Sequence, residues 1–520
     1  PRKLPPQTPV RFPKCTPRLD EESRSHPAST KLLVPLLQSI HRPADIRLSH
    51  FEALGLHVIP DSKPQDIIPE EGYLPPVEAW NTIDADNLPE ANDATRNLLN
   101  NGNLSPGVQT YRERQSELQI DNTAAFRSIR RIPSPSGESA VRLGNAYEFF
   151  KNLEYFSSYW DDTSLPLKEE KIDETSSEPQ SSSDESKDEA PMPTLPSYLR
   201  THQKEGNGSQ LPPEYRQNLI NAFVKLIAYD FGCNVSIPRS EPRLHLFPPN
   251  TSPPSYFNSS ARFIFRTPTD RMSARNGIIE GPVAAISCRA STVFATEVES
   301  RLDLAREVVV ALLTAQHRAR EGTSEKRFGK GEWWTAKPRW GGGPGGPIEK
   351  PVTEPTPSRD VRSIADETRR IFGLNSSSPN KRSKKLKDGN MQIYENYRKM
   401  IPPSANWDRL TRYIKIGKEV PGYGYDDIFL LSALNHHVSI IRVRVPEGLL
   451  SVLDGQAGEW DRVEMWRSKW YDLFLADQRI EAFQIVWGMV AYQMRSGIEK
   501  ALPLPERKGN KSPEKMDTTT

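Results

Sequence analysis

Apolar residues recur at helical spacing in "PPEYRQNLINAFVKLIAYDFG" (212–232), where Leu219, Phe223, Leu226 and Ile227 share one stripe. Pro213 suits a first helical turn and Gly232 a stop, so the pattern predicts a helix. Four short strand patterns follow: "CNVSIP", "RLHLF", "ARFIFR" and "GPVAAISCRA". In "ARFIFR", Phe263 and Phe265 alternate with Arg262, Ile264 and Arg266, the period of a half-buried strand. "PVAAISC" is apolar on both faces, as a central strand would be. Residues 298–322 then place Leu302, Ala305, Val309, Leu312 and Gln316 on one helical face, with Gly322 at the end.

A second run of patterning begins after a gap. Residues 358–373 predict a short helix with Val361, Ile364 and Ile371, capped by Ser358 and stopped at Gly373. "YDDIFLLSALNHH" predicts a helix with Ile428, Leu431 and Leu434 on one side. "VSIIRVRVP" (438–446) predicts a strand, Ile441, Val443 and Val445 on one face and Arg442 and Arg444 on the other. Two closing helices are expected, one carrying Val463, Trp466, Trp470 and Leu473. The other starts near Asp477 and carries Ile480, Phe483, Trp487, Val490 and Met494. Upstream, "AYEFFKNLEYFSSYWDD" (146–162) sets Phe149, Phe150, Leu153, Phe156 and Trp160 at helical spacing. That aromatic face predicts a helix packed on the main domain rather than left in water.

Composition narrows how much of the 520 residues folds. Hydrophobic residues make up 36%, and there are 47 prolines, so long segments lack the apolar surface to offset chain entropy. The expected fold is α+β: a single globular domain of amphipathic helices around a small sheet, with long disordered flanks and an internal linker. The expected boundaries are 1–140, a largely disordered Pro/polar-rich region; 141–165, the aromatic helix; and 166–208, an acidic Ser-rich linker. Next come 209–346, the first half of the domain with a Trp/Gly loop; 347–390, a linker with a short helix and a basic loop; 391–496, the second half; and 497–520, a disordered tail. Two small domains would be the alternative.

Charge and cysteine content remove some functions. The formal net charge of +2 gives no overall field toward nucleic acid. Cys15, Cys233 and Cys288 are odd in number and far apart, which is no disulfide framework and fits a reducing compartment. No apolar run is long enough to span a membrane, and no nucleophile-elbow, P-loop or zincin motif is present.

The candidate chemistry lies in a few clusters. Arg262, Arg266, Arg442 and Arg444 sit on strand patterns and are candidates for contacting nucleic acid. "GEWWTAKPRWGGGPGG" (331–346) brings Trp333, Trp334 and Trp340 together with six glycines. A phosphate cradle needs free backbone N–H groups at a helix start, and Pro344 and Pro347 remove donors. The stretch reads instead as a clasp of indole anchors, or as a binding loop if they are exposed. "KRSKKLK" (381–387), with Lys381, Arg382, Lys384, Lys385 and Lys387, fits a nuclear-import signal. His436 and His437, with Asp426 and Asp427, could ligate a metal. Adjacent histidines at a helix end usually diverge, so a dipole-bound cation and a packed ring are expected, with no metal and no cofactor.

At "FFKNLEYFSSYWDD", "RMSARNGIIEGPVAAISCRA", "EKRFGKGEWWTAKPRWGGGPGG" and "WYDLFLADQRIEAFQIVWGMVAY" the sequence resembles a group of uncharacterised proteins of filamentous fungi. The resemblance covers roughly residues 145–165, 210–345 and 390–495. It supports those segments as the ordered ones and implies no activity, cofactor or site. The expected function is a binding or regulatory module of the nucleus or cytoplasm, with protein partners first and nucleic acid second. The alternative is a divergent metal-dependent hydrolase or nuclease. That would require Glu280, Asp426, Asp427 and His437 to converge in one cleft.

Overall fold

The computed structural model of the chain describes residues 8–17, 30–100, 102–133, 139–165, 205–236, 243–249, 254–266, 268, 278–319, 412–414, 416 and 423–496. The Trp/Gly stretch, the basic run 381–387 and the expected helix 358–373 lie outside these residues, as do the acidic Ser-rich block and the tail.

The fold is α+β. Its first part is α1 (Thr30–Gln38), α2 (Leu48–Leu54), β1 (Leu56–Ile59), α3 (Pro64–Ile67), α4 (Val77–Asn81), α5 (Leu88–Ala94), α6 (Val108–Leu118), α7 (Asn122–Arg130) and α8 (Tyr147–Ser157). Then come α9 (Pro213–Ala228), β2 (Cys233–Ser236), β3 (Arg243–Leu246), β4 (Ser255–Asn258), β5 (Arg262–Arg266), β6 (Ile278–Arg289) and α10 (Glu297–Ala319). The last part is β7 (Arg412–Ile414), β8 (Tyr425–Leu434), β9 (His437–Pro446), α11 (Glu447–Leu453), β10 (Val463–Arg467), β11 (Tyr471–Asp472) and α12 (Ala476–Gln493).

Nine strands form one mixed sheet in the order β1-β10-β9-β8-β6-β5-β2, with β11 beside β9 and β7 beside β6. β6 and β8 run parallel with Ala285 opposite Leu430 and Arg289 opposite Leu434. That pairing joins the two halves recognised in the sequence into one domain. Helices cover both faces. Side chains of α6, α7, α8, α9 and α12 meet Ile264, Ile286, Phe429 and Ile440 on one face. Side chains of α1, α2, α10 and α11 meet Phe263, Ala285, Leu430 and Val443 on the other. The alternation in β5 and β9 is therefore a division between two cores, not between core and water.

Most predicted elements are present. The α9 stripe Leu219, Phe223, Leu226 and Ile227 is buried, as are Phe483, Trp487, Val490 and Met494 at the end of the chain's last helix. The aromatic helix α8 packs against α9, burying Phe149, Phe150, Leu153 and Phe156.

The structure differs in three places. "YDDIFLLSAL" is the strand β8, not a helix. Both of its faces are buried, so its middle, Ile428–Leu431, is apolar without alternation, and periodicity alone cannot separate such a run from a buried helix. The stretch with Trp466 and Trp470 forms β10 and β11, because Val463 and Met465 alternate into one core while Trp466 faces the other. Finally, residues 30–100 and 102–133, expected to lack structure, carry α1–α7 and the edge strand β1. A few large residues in each polar helix suffice: Tyr111, Leu118 and Phe126 are fully buried. Asp121 caps α7 by accepting from the Ala124 N–H at 3.1 Å.

Candidate functional site

The helix α10 carries apolar residues on more than one side. Its innermost stripe is Asp303, Leu304, Glu307, Val308 and Ala311, all buried. Of the stripe that the sequence assigns to the core, Leu312 and Gln316 are buried, whereas Leu302, Ala305 and Val309 are turned outward and only half-buried. These three line an open cleft of about 760 Å³ between α10, the α1–α2 pair, the β3–β4 hairpin and the end of β6. Leu37, Ile40 and Phe257 complete its apolar wall. Arg42, Arg289, Arg306, His41 and His50 also line it, and among the described residues no carboxylate does. Arg42 and Arg306 are exposed at the rim.

Behind the cleft lies a buried charge network. Arg289 Nε lies 2.5 Å from Asp303 Oδ1. Its Nη2 donates to Glu307 Oε1 at 3.1 Å and to Ser432 Oγ at 2.8 Å. Arg467 reaches the other oxygen of Glu307. Burial pushes the Asp303 carboxyl up to about 6, against the pull of Arg289. Burial also opposes ionisation of Glu307, but Arg467 and Arg289 together hold it below the usual carboxylate range. Two arginines thus neutralise two acids, as a buried charge requires.

The four candidate arginines point to the same face of the sheet but do not form an open surface. Arg262 bonds Gln217, and Arg266 pairs with Glu280 and donates to Asn100 Oδ1 at 2.9 Å. Arg442 lies 3.9 Å from Asp427 and stacks 3.8 Å above Trp466. Arg444 contacts Asp427 and Glu464 and stacks on Tyr425. Two strands, β8 and β6, separate the first pair from the second.

The four groups required for a metal-dependent hydrolase do not converge. Asp426 is bound by Arg318 at 2.8 Å on one face of β8, and Asp427 faces the other way toward Arg442. Glu280 is held by Arg266. His437 lies at the far end of the β8–β9 hairpin, roughly 20–25 Å along the strand from Asp427.

The adjacent histidines do not diverge. A two-residue turn, with Asn435 at φ 55°, links β8 to β9 and sets the rings of His436 and His437 4.1 Å apart. Asn tolerates that left-handed conformation. Their Nε2 atoms approach the two oxygens of Asp472 on β11, at 3.7 and 3.6 Å. Asp472 is held by Thr163 Oγ1 at 2.7 Å and by the Phe474 N–H at 2.8 Å. Phe156, Trp160 and Phe474 surround His436 edge-on. Phe12, stacked on Trp470 at 5.0 Å, closes over His437. Burial lowers the pKa of His436 well below its ordinary value. His437 is lowered by the same cause, with Asp472 and the Leu434 backbone opposing it.

Sequence reasoning missed Asp303, Glu307 and Asp472. The two acids on α10 carried a readable signal, since they sit one turn apart beside the apolar positions Leu304, Val308 and Ala311. Asp472 carried none, because it meets His437 only through the register of β11 on β9. Burial pushes the thiols of Cys233 and Cys288 up to about 12 and about 11, which disfavours the thiolate at neutral pH. Among the described residues, no helix is long and apolar enough to cross a membrane. In comparisons with known proteins, no family model, no curated protein and no solved structure matches the chain.

Proposed function

We propose that the chain is a protein-binding module whose cleft on α10 receives an apolar segment with acidic flanks from a partner protein. The observation that carries this reading is the turned-out residues Leu302, Ala305 and Val309, which face an open cleft lined, among the described residues, by arginines and by no acid. Apolar anchors in such a groove supply affinity, and the rim charges select partner and orientation. The four strand arginines lend nucleic acid less support, since each is engaged by groups of the chain itself. The working compartment is the nucleus or cytoplasm, and the basic run 381–387 would act as the import signal.

The test is selection of displayed random peptides against the full chain, beside an Arg42→Glu/Arg306→Glu variant. Both positions are exposed, so the variant should fold normally. Enriched peptides should combine apolar residues with Asp or Glu. Their affinity should fall by roughly tenfold in the variant, and less in high salt. Peptides without acidic residues, or equal binding by the variant, would refute the reading. Nuclease-sensitive DNA or RNA on the purified chain, with no peptide enriched, would favour nucleic acid instead.

A further inference from the structure

We propose that His436, His437 and Asp472 form a zinc site at the closed end of the β8–β9 hairpin. The three residues offer ligand atoms within 4.8 Å of one another. The two Nε2–oxygen separations, 3.7 and 3.6 Å, are too long for hydrogen bonds. Two ligands about 2.1 Å from one zinc ion stand about 3.4 Å apart at the tetrahedral angle, close to what is seen.

The charges favour a cation as well. Asp472 is buried, and its ion contacts among the described residues are with these two histidines, not with lysine or arginine. Arg479 acts on this carboxylate only from beyond contact distance, so a divalent ion between the two imidazoles would be its directly bound counter-charge. His436 is almost fully buried, and its Nδ1 has no hydrogen-bond partner. Thr163 and the Phe474 N–H orient the carboxylate, and an aromatic wall excludes water, as supporting groups around metal ligands do. Two imidazoles and one carboxylate suit zinc rather than magnesium or calcium.

The experiment uses the full chain, stripped with chelator and titrated with zinc sulfate. Bound metal is counted by elemental analysis, and its ligands are read by X-ray absorption. Wild type should take up one ion per chain, with two imidazoles in the coordination shell. Asp472→Asn and His437→Gln should each weaken binding by more than the roughly 10–100-fold typical of a lost supporting group. Asp472→Asn preserves size and the Phe474 bond. If it does not fold, His437→Gln, at the less buried position, decides. Wild type without stoichiometric zinc, or a folded variant that binds as tightly, would overturn the site.

Discussion

Buried arginines settle which acids stay ionised. Arg289 has two carboxylates within reach, and only Glu307 has a second arginine of its own, Arg467. Asp303 is therefore the member that takes a proton, its pKa raised by burial to about 6. The folded chain then binds more protons than the unfolded chain between pH 4 and 6. Stability falls as pH rises through that window, and the penalty is complete above it. Asparagine mimics the protonated form. Asp303→Asn should therefore be more stable than wild type at pH 7.5, by up to about 3 kcal/mol, and the gap should close near pH 4. Urea midpoints at both pH values would check this, and a gap independent of pH would refute the assignment. A different balance governs Arg479. It is buried and donates to Asn122 Oδ1 at 2.9 Å and to two backbone carbonyls, with no carboxylate in direct contact. Burial lowers it to about 10 against the pull of Asp162, Asp121 and Asp472, so it stays charged at neutral pH.

Among the elements, α8 shows how a short aromatic helix becomes structural. Phe150 is fully buried and meets Phe149 edge-to-face at 5.1 Å, while Tyr155 on the outer side is 39% exposed. Phe150→Ala should cost about 3–5 kcal/mol, and Tyr155→Ala far less; chemical denaturation of both variants measures the contrast. This helix was legible because its two sides differ. The helices α9, α10 and α12 and the strand β9 were legible for the same reason: each has a period. β8 was not, because its middle run Ile428–Leu431 is aliphatic or aromatic at every position, whereas β9 alternates aliphatic residues with Arg442 and Arg444. The outward rotation of the Leu302 stripe was illegible too, since hydrophobicity alone does not say which apolar stripe of a helix faces the sheet. The cleft therefore could not be located before the fold, and neither could the convergence of residues 436, 437 and 472.

At the scale of the molecule, the N-terminal third belongs to the domain. β1 pairs with β10, and α6 and α7 complete the core beneath α12. A strap at residues 8–17 adds to this: Arg11 N–H donates to Thr292 O at 2.8 Å, and Val58 N–H to Pro17 O at 2.9 Å. A fragment spanning 205–496 should therefore fail to unfold cooperatively and should aggregate, whereas the full chain melts in one transition. Calorimetry of both distinguishes these outcomes. A soluble fragment with wild-type cooperativity would mean that the first third is an accessory.

The parallel pairing of β6 with β8 has a consequence for biosynthesis. β6 leaves the ribosome more than a hundred residues before its neighbour does. At roughly 5–20 residues per second, several seconds pass in which the nascent chain carries an unmatched strand edge with the apolar run Val283–Ile286 at its centre. Such an edge invites intermolecular pairing. The protein should consequently depend on holdase chaperones during translation more than its finished stability would suggest, and slowed synthesis should lower its soluble yield.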